Sequence, residues 1–158
     1  MGMFSVRNAC CQDAVTFQQL VMLCAPLEIH TEYTYWVCAH YFAECSFILE
    51  NDGKPIGYLM GIENHSTVFI WQIGIVEEYR KKDLSKQLLN ACLIYAKSQG
   101  KNIELTISEG NLSCYSAVNC FCQQKGLTLQ KMDDANIMNA EGGIYEVEIR
   151  YRICINSM

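Results

Sequence analysis

Ile70-Trp71-Gln72-Ile73-Gly74-Ile75-Val76-Glu77-Glu78-Tyr79-Arg80-Lys81-Lys82-Asp83-Leu84-Ser85-Lys86-Gln87-Leu88-Leu89 begins as a strand and ends as a helix. After Glu77-Glu78 the apolar residues Leu84, Leu88, Leu89, Cys92, Leu93 and Ala96 fall on one stripe, with Lys86, Gln87 and Asn90 off it, the pattern of an amphipathic helix. Gly100 stops it. A short loop starting at Arg80 feeds this helix directly from the strand. The first-turn N–H groups of such a helix have no partner within it and lie at its positive dipole end, which makes them an anion site. Arg80, Lys81, Lys82 and Lys86 add positive charge. The same residues also fit a solvated basic turn at a helix start.

Upstream, Pro55 to Glu63 and Thr67 to Val76 read as strands around the polar Asn64-His65-Ser66, and Ser46 to Glu50 precedes them. Asn51-Asp52-Gly53-Lys54 reads as a hairpin turn, because Asp-Gly tolerates the positive φ such turns require. Nearer the N terminus the spacing predicts a strand at Phe4 to Arg7, a helix opened by Asp13 and ended by Pro26, and an aromatic-rich helix from Tyr33 to Cys45. Downstream it predicts a strand at Ile103 to Ile107, a helix from Asn111 to Lys125 closed by Gly126, and two last strands, Leu127 to Met132 and Tyr145 to Ile155, around a polar loop. This order gives an α/β fold whose mixed, mostly antiparallel sheet changes to parallel pairing at the helix after Val76. Three consecutive strands with no helix between them argue against a doubly wound parallel sheet. One domain over residues 1–158 is expected.

The chain has 158 residues, 51% hydrophobic and 18% charged, enough to bury a core without disulfides or metal. Twelve Lys+Arg against seventeen Asp+Glu give a formal charge of −5, which argues against a nucleic-acid or anionic-membrane surface and suits a small cationic substrate. The longest apolar stretch, Val68 to Val76, is too short to span a bilayer. Met1 to Leu23 lacks the uninterrupted apolar core of a signal peptide, so a cytoplasmic location is expected. Ten cysteines scattered singly, with no C-x-x-C pair, read as free thiols rather than a disulfide or zinc framework. No metal site is expected.

The strand-loop-helix segment resembles the pyrophosphate loop of the GNAT N-acetyltransferases, whose R-x-x-G-x-A/G pattern stands here as Arg80-Lys-Lys-Asp83-Leu-Ser85 after Ile73-x-Ile75. A closer resemblance, over nearly the whole chain, is to the diaminobutyrate acetyltransferases. It is carried by Pro26-Leu-Glu-Ile-His-Thr-Glu-Tyr-Thr-Tyr35 with Cys38-x-His40-x-Phe42, by Phe69-Ile-Trp-Gln-Ile-Gly-Ile75, and by Glu148-Ile-Arg-Tyr-Arg-Ile153.

That resemblance implies acetyl transfer from acetyl-CoA to an amine of a small diamino acid. It implies cofactor contacts at Ile73, Gly74, Ile75, Arg80, Lys81, Lys82, Asp83, Leu84, Ser85 and Asn111, and a substrate pocket of Glu28, Thr31, Tyr33, Trp71 and Glu148. A diammonium substrate calls for carboxylates, and an indole face holds a cation or an aliphatic chain. An ammonium must lose a proton before it attacks, which makes Glu148 and Glu28 the candidate bases. Trp71 also fits a core position on an apolar strand, and both glutamates also fit solvated edges. Homodimers are common in the family; Tyr35, Trp36 and Tyr41 are candidate contact residues.

Four departures bear on this reading. Asp83 stands where the loop carries glycine, bringing a carboxylate to an anion site. Cys122 fills the slot of the tyrosine that protonates the leaving thiolate in many relatives, and Tyr115 lies about two turns earlier. Tyr145 replaces an expected histidine near Glu148. Glu28 and His30 replace aspartate and asparagine. They keep open a different small amine or polyamine as acceptor, or a ligand-sensing or interaction module of the same fold that binds coenzyme A weakly.

Overall fold

In the computed structural model, which describes residues 2–155, hairpin pairing dominates the sheet. The strands are β1 (Phe4–Asn8), β2 (Phe47–Asn51), β3 (Lys54–Glu63), β4 (Thr67–Ile75), β5 (Asn102–Ser108), β6 (Thr128–Met138) and β7 (Ile144–Cys154). They form one sheet in the order β1-β2-β3-β4-β5-β7-β6. Every pair is antiparallel except β4 with β5, so the change to parallel pairing falls after Val76 as expected. A two-residue turn joins β2 to β3, with Asp52 at φ 50° and Gly53 at φ 83°; a side chain at the second position would be strained there.

Helices α1 (Ala14–Leu23), α2 (Glu32–Tyr41), α3 (Ser85–Gln99) and α4 (Leu112–Lys125) cover the sheet. On one face, Leu88, Leu89, Cys92 and Ala96 of α3 and Phe121 and Cys122 of α4 pack on Leu49, Leu59, Val68, Ile103 and Ile153. On the other, Phe17, Leu20 and Val21 of α1 and Tyr35 and Cys38 of α2 pack on Ile48, Tyr58 and Met60. Burying each large apolar side chain stabilises by about 1.5–3 kcal/mol. The second helical layer packs on the β3–β4 half and leaves the same face of β5 and β7 open, where Thr106, Ser108 and Glu148 stand.

Two boundaries differ from expectation. Helix α2 ends at Tyr41 rather than Cys45, because a 3-10 turn over Ala43–Cys45 carries the chain into β2 and buries Cys45. Strand β6 continues to Met138 instead of stopping at Met132. The register shifts between Lys131 and Asp134, so Met132 and Asp133 bulge opposite Arg150 while Asp134 pairs with Ile149, and Asp133 accepts from Arg150 at 2.8 Å. Acidic residues in mid-strand read as loop; here an ion pair and a bulge accommodate them. The expected Asn111 start of α4 is its N-cap, the side chain accepting from the Cys114 N–H at 3.2 Å.

The ten cysteines are unpaired, five of them buried. Among the described residues there is no group of three His, Cys, Asp or Glu placed to hold a metal, and no helix is long and apolar enough to cross a membrane.

Candidate active site

Strands β4 and β5 pair from Thr67/Asn102 to Ile70/Leu105 and no further. The next residue, Trp71, is the extra residue of a bulge: Gly61 pairs with Ile70 and Met60 with Gln72, which leaves Trp71 unmatched. A bulge bends its strand and re-aims side chains. From Trp71 onward β4 runs beside β3 alone, and β5 diverges from it. Below the gap, Glu104 holds the strands together, accepting from Thr67 of β4 at 3.3 Å and from Arg150 and Arg152 of β7, each at 3.2 Å.

On one side of the gap lies a cavity of about 620 Å³ walled by Trp71, Thr106, Ser108, Glu28, Glu146 and Glu148, with His30 and Ile137 at its margin. The His30 ring lies 4.6 Å from the Trp71 ring. Gln72 positions the segment that carries Glu28: its Nε2 donates to the Glu28 carbonyl at 3.0 Å, and its Oε1 accepts from the buried Tyr58 hydroxyl at 2.9 Å. Burial pushes the Glu148 carboxyl above the ordinary glutamate value, a hydrogen bond with Thr106 pulls it back, and the negative charges of Glu146 and Glu28 push it up again. The Ser108 hydroxyl reaches Glu146 at 3.5 Å.

On the other side lies a second cavity, about 680 Å³, lined by Ile73, Gly74, Ile75, Arg80, Ser85, Gly110 and Ser113. The two share Pro26, Leu27, Ile73, Ser108, Asn111 and Cys114, so they meet through the gap. Gly74 is needed where β4 passes its neighbours: a Cβ there would meet Leu27 at 2.8 Å and Tyr58 at 2.9 Å.

The loop before α3 turns on left-handed residues, Lys81 at φ 67° and Asp83 at φ 56°. Asp83 therefore stands where glycine relieves backbone strain. Its side chain is 82% exposed and reaches Lys86 at 3.6 Å. The carboxylate faces water and Lys86, and leaves the backbone amides clear. Among the described residues no intramolecular acceptor is found for the N–H groups of Lys82, Asp83, Leu84 and Ser85, so the loop presents a set of free donors.

The cationic side chains are partly committed. Arg80 donates to the carbonyls of Ile75 at 2.8 Å and Ala25 at 3.3 Å, clasping the end of β4 to the α1–α2 connection. Lys82 lies over the Tyr79 ring at 5.4 Å. Leu84 is buried, so only its backbone faces the loop.

Of the expected amine-pocket residues, the structure gathers Glu28, Trp71 and Glu148 in one cavity and leaves Thr31 and Tyr33 outside its lining. The Thr31 hydroxyl caps α2, accepting from the Thr34 N–H. Tyr33 is 73% exposed and stacks on Trp36. Ile73, Gly74, Ile75, Arg80, Ser85 and Asn111 line the second cavity, whereas Lys81, Lys82, Asp83 and Leu84 stand beside it on the loop. Cys122 is buried in the core and the Tyr115 ring lies tilted against Tyr151; neither lines either of these two cavities. Of the candidate contact residues, Tyr35 is core, while Trp36 and Tyr41 are exposed.

Sequence reasoning missed Glu146, Thr106, Ser108 and the anchoring role of Gln72. The alternation Glu146-Val147-Glu148, which sets both acids on one face of β7, was the available signal.

Residues 14–117 match the acetyltransferase (GNAT) family. The chain is similar to the L-2,4-diaminobutyric acid acetyltransferase of Chromohalobacter salexigens, 26% identical over 111 residues, 67% of this chain and 58% of that protein. It is also similar to that of Nocardia farcinica, 25% identical over 147 residues, 89% and 75% of the two chains. The match to the Chromohalobacter protein spans little more than half its length. Among solved structures, the diaminobutyrate acetyltransferase of Paenibacillus lautus in complex with L-2,4-diaminobutyric acid and coenzyme A superposes with a TM-score of 0.83 at 19% identity, covering 100% of this chain and 99% of that one.

Proposed function

Because this chain belongs to the acetyltransferase (GNAT) family, we propose that it transfers the acetyl group of acetyl-CoA to a primary amine of a small diamino compound, the class that includes 2,4-diaminobutyrate and the simple diamines. The observation that carries this reading is the junction of two cavities at the β4–β5 gap, one lined by acids and Trp71, the other running to a loop of free amide donors.

The residues present fit the coenzyme. Free N–H groups at Lys82 to Ser85 suit a diphosphate at the start of α3, and Gly74 keeps β4 clear for a close approach. Bound acetyl-CoA supplies an electrophilic thioester, at which a C–N bond forms as the C–S bond breaks. Backbone N–H groups on the open edge of β4 at Ile73 to Ile75 donate to the carbonyl oxygen as it gains charge, an interaction whose loss typically costs about a hundredfold or more in rate. Glu28 and Glu146 hold the ammonium groups of the acceptor over Trp71. Glu148, half-buried with its carboxyl pushed above the usual range, takes the proton of the attacking amine. The departing thiolate takes a proton from water, since no tyrosine lines the junction. A homodimer has exposed aromatic surface available on α2, where Tyr33, Trp36 and His40 stack in series.

The test is acetyl-CoA-dependent release of free CoA thiol with a panel of small diamines and diamino acids. Acceptor-dependent thiol release supports the proposal. A protein that binds acetyl-CoA yet acetylates none of them is instead the ligand-sensing form of the fold.

A further inference from the structure

The charges around the amine cavity are all of one sign. Glu28, Glu146 and Glu148 line it, and among the described residues no lysine or arginine does. Two arginines on the flanking segments are committed elsewhere. Arg150, two residues along β7 from Glu148, is held by Glu104 at 3.2 Å and Asp133 at 2.7 Å. Arg80, on the far side of the gap, is held by two main-chain carbonyls. The single titratable base in the lining, His30, lies against the Trp71 ring.

A diamino acid brings two ammonium groups and one carboxylate. The ammonium groups have three acids to meet, but the carboxylate has no cationic side chain in the lining. It enters a site already negative, and repulsion of this kind separates substrates as effectively as attraction does. Three carboxylates already stand in the lining, and like charges brought together suppress the partner that carries the extra one.

Resting on the proposed acetyl transfer, we infer that the preferred acceptor is a short aliphatic diamine without a carboxylate. One ammonium group is held by Glu28 and Glu146, the methylene chain lies on Trp71, and the second nitrogen, freed of its proton at Glu148, faces the gap.

Matched acceptors that differ only by the carboxylate test this with the intact protein and acetyl-CoA: 1,3-diaminopropane against 2,4-diaminobutyrate, and 1,4-diaminobutane against ornithine. The expected result is a kcat/KM at least about tenfold higher for the diamine in each pair. Glu146→Gln, which removes one negative charge from the lining, narrows that ratio by raising KM for the diamines. Equal or reversed preference overturns the inference while leaving acetyl transfer standing, as does a ratio that Glu146→Gln does not move. Acetylation of none of the four, with acetyl-CoA still bound, overturns the reading of a small diamino acceptor and the inference with it.

Discussion

Ile70 and Leu105 are the last residues at which β4 and β5 face each other as partners, and the site begins one residue later, at the bulge that carries Trp71. The bulge turns a residue of an apolar strand into a cavity wall and parts the strands so that two cavities meet. The helical layers determine what each cavity is made of: α1 and α2 stop at the β3–β4 half, and the polar faces of β5 and β7 stay open beyond it.

Replacing Trp71 by alanine is expected to raise KM for the amine by roughly 2- to 30-fold, the range of a cation or alkyl chain resting on an indole. Trp71 is only half-buried, so the fold persists. Steady-state kinetics with a thermal melt checks both halves, and an unchanged KM removes Trp71 from the amine site.

Gln72→Ala cuts the tether to the Glu28 carbonyl and strands the Tyr58 hydroxyl, which is fully buried. An unsatisfied buried group costs about 1–3 kcal/mol, and Tm falls accordingly. The kinetic signature is a raised KM for the amine with acetyl-CoA affinity unaltered, since Gln72 lines the acid cavity alone. Weakened acetyl-CoA binding in calorimetry counts against this assignment.

Asp83→Gly is expected to leave acetyl-CoA affinity within about twofold, because the aspartate carboxylate faces Lys86 and water. The gain is in stability: glycine takes the left-handed conformation at φ 56° without a steric penalty, worth about 1 kcal/mol. A large tightening of acetyl-CoA would show that the carboxylate enters the anion site in solution.

The Glu148 carboxyl sits above the ordinary 4.5, chiefly through burial, with Glu146 and Glu28 adding to the shift. As the proposed base it works only when ionised, so kcat/KM rises with pH through its folded-state pKa, and Glu148→Gln removes that limb. Stability runs the other way. A carboxyl that holds its proton more tightly folded than unfolded contributes stability that is complete below 4.5 and lost as pH rises through the folded value. Glu148→Gln therefore costs activity while keeping or raising Tm at neutral pH. A fall in both would assign Glu148 a structural role.

The element order was legible because hydrophobic period separates strand from helix, and the Asp52-Gly53 turn and the glycines closing α3 and α4 mark their boundaries in the chain. Strand β6 was cut short because nothing in one dimension shows that Arg150 and a bulge receive Asp133 or that Asp134 pairs with Ile149. Trp71 read equally well as core or pocket, since alternation alone does not reveal an extra residue. Glu146 escaped notice because its place depends on the pairing of β7 with β5, a non-local fact. The glycine-to-aspartate departure at position 83 looked chemical in the sequence; the left-handed backbone there makes it conformational.

Titration of the protein with acetyl-CoA, followed by thermal shift, tests most directly whether the amides before α3 and the edge of β4 form a coenzyme site. At about a hundred times its dissociation constant a ligand stabilises by about 2.7 kcal/mol, which for a chain of 158 residues raises Tm by roughly 5–10 °C. A saturable rise of that size is predicted, and an unmoved Tm at millimolar acetyl-CoA would contradict the account.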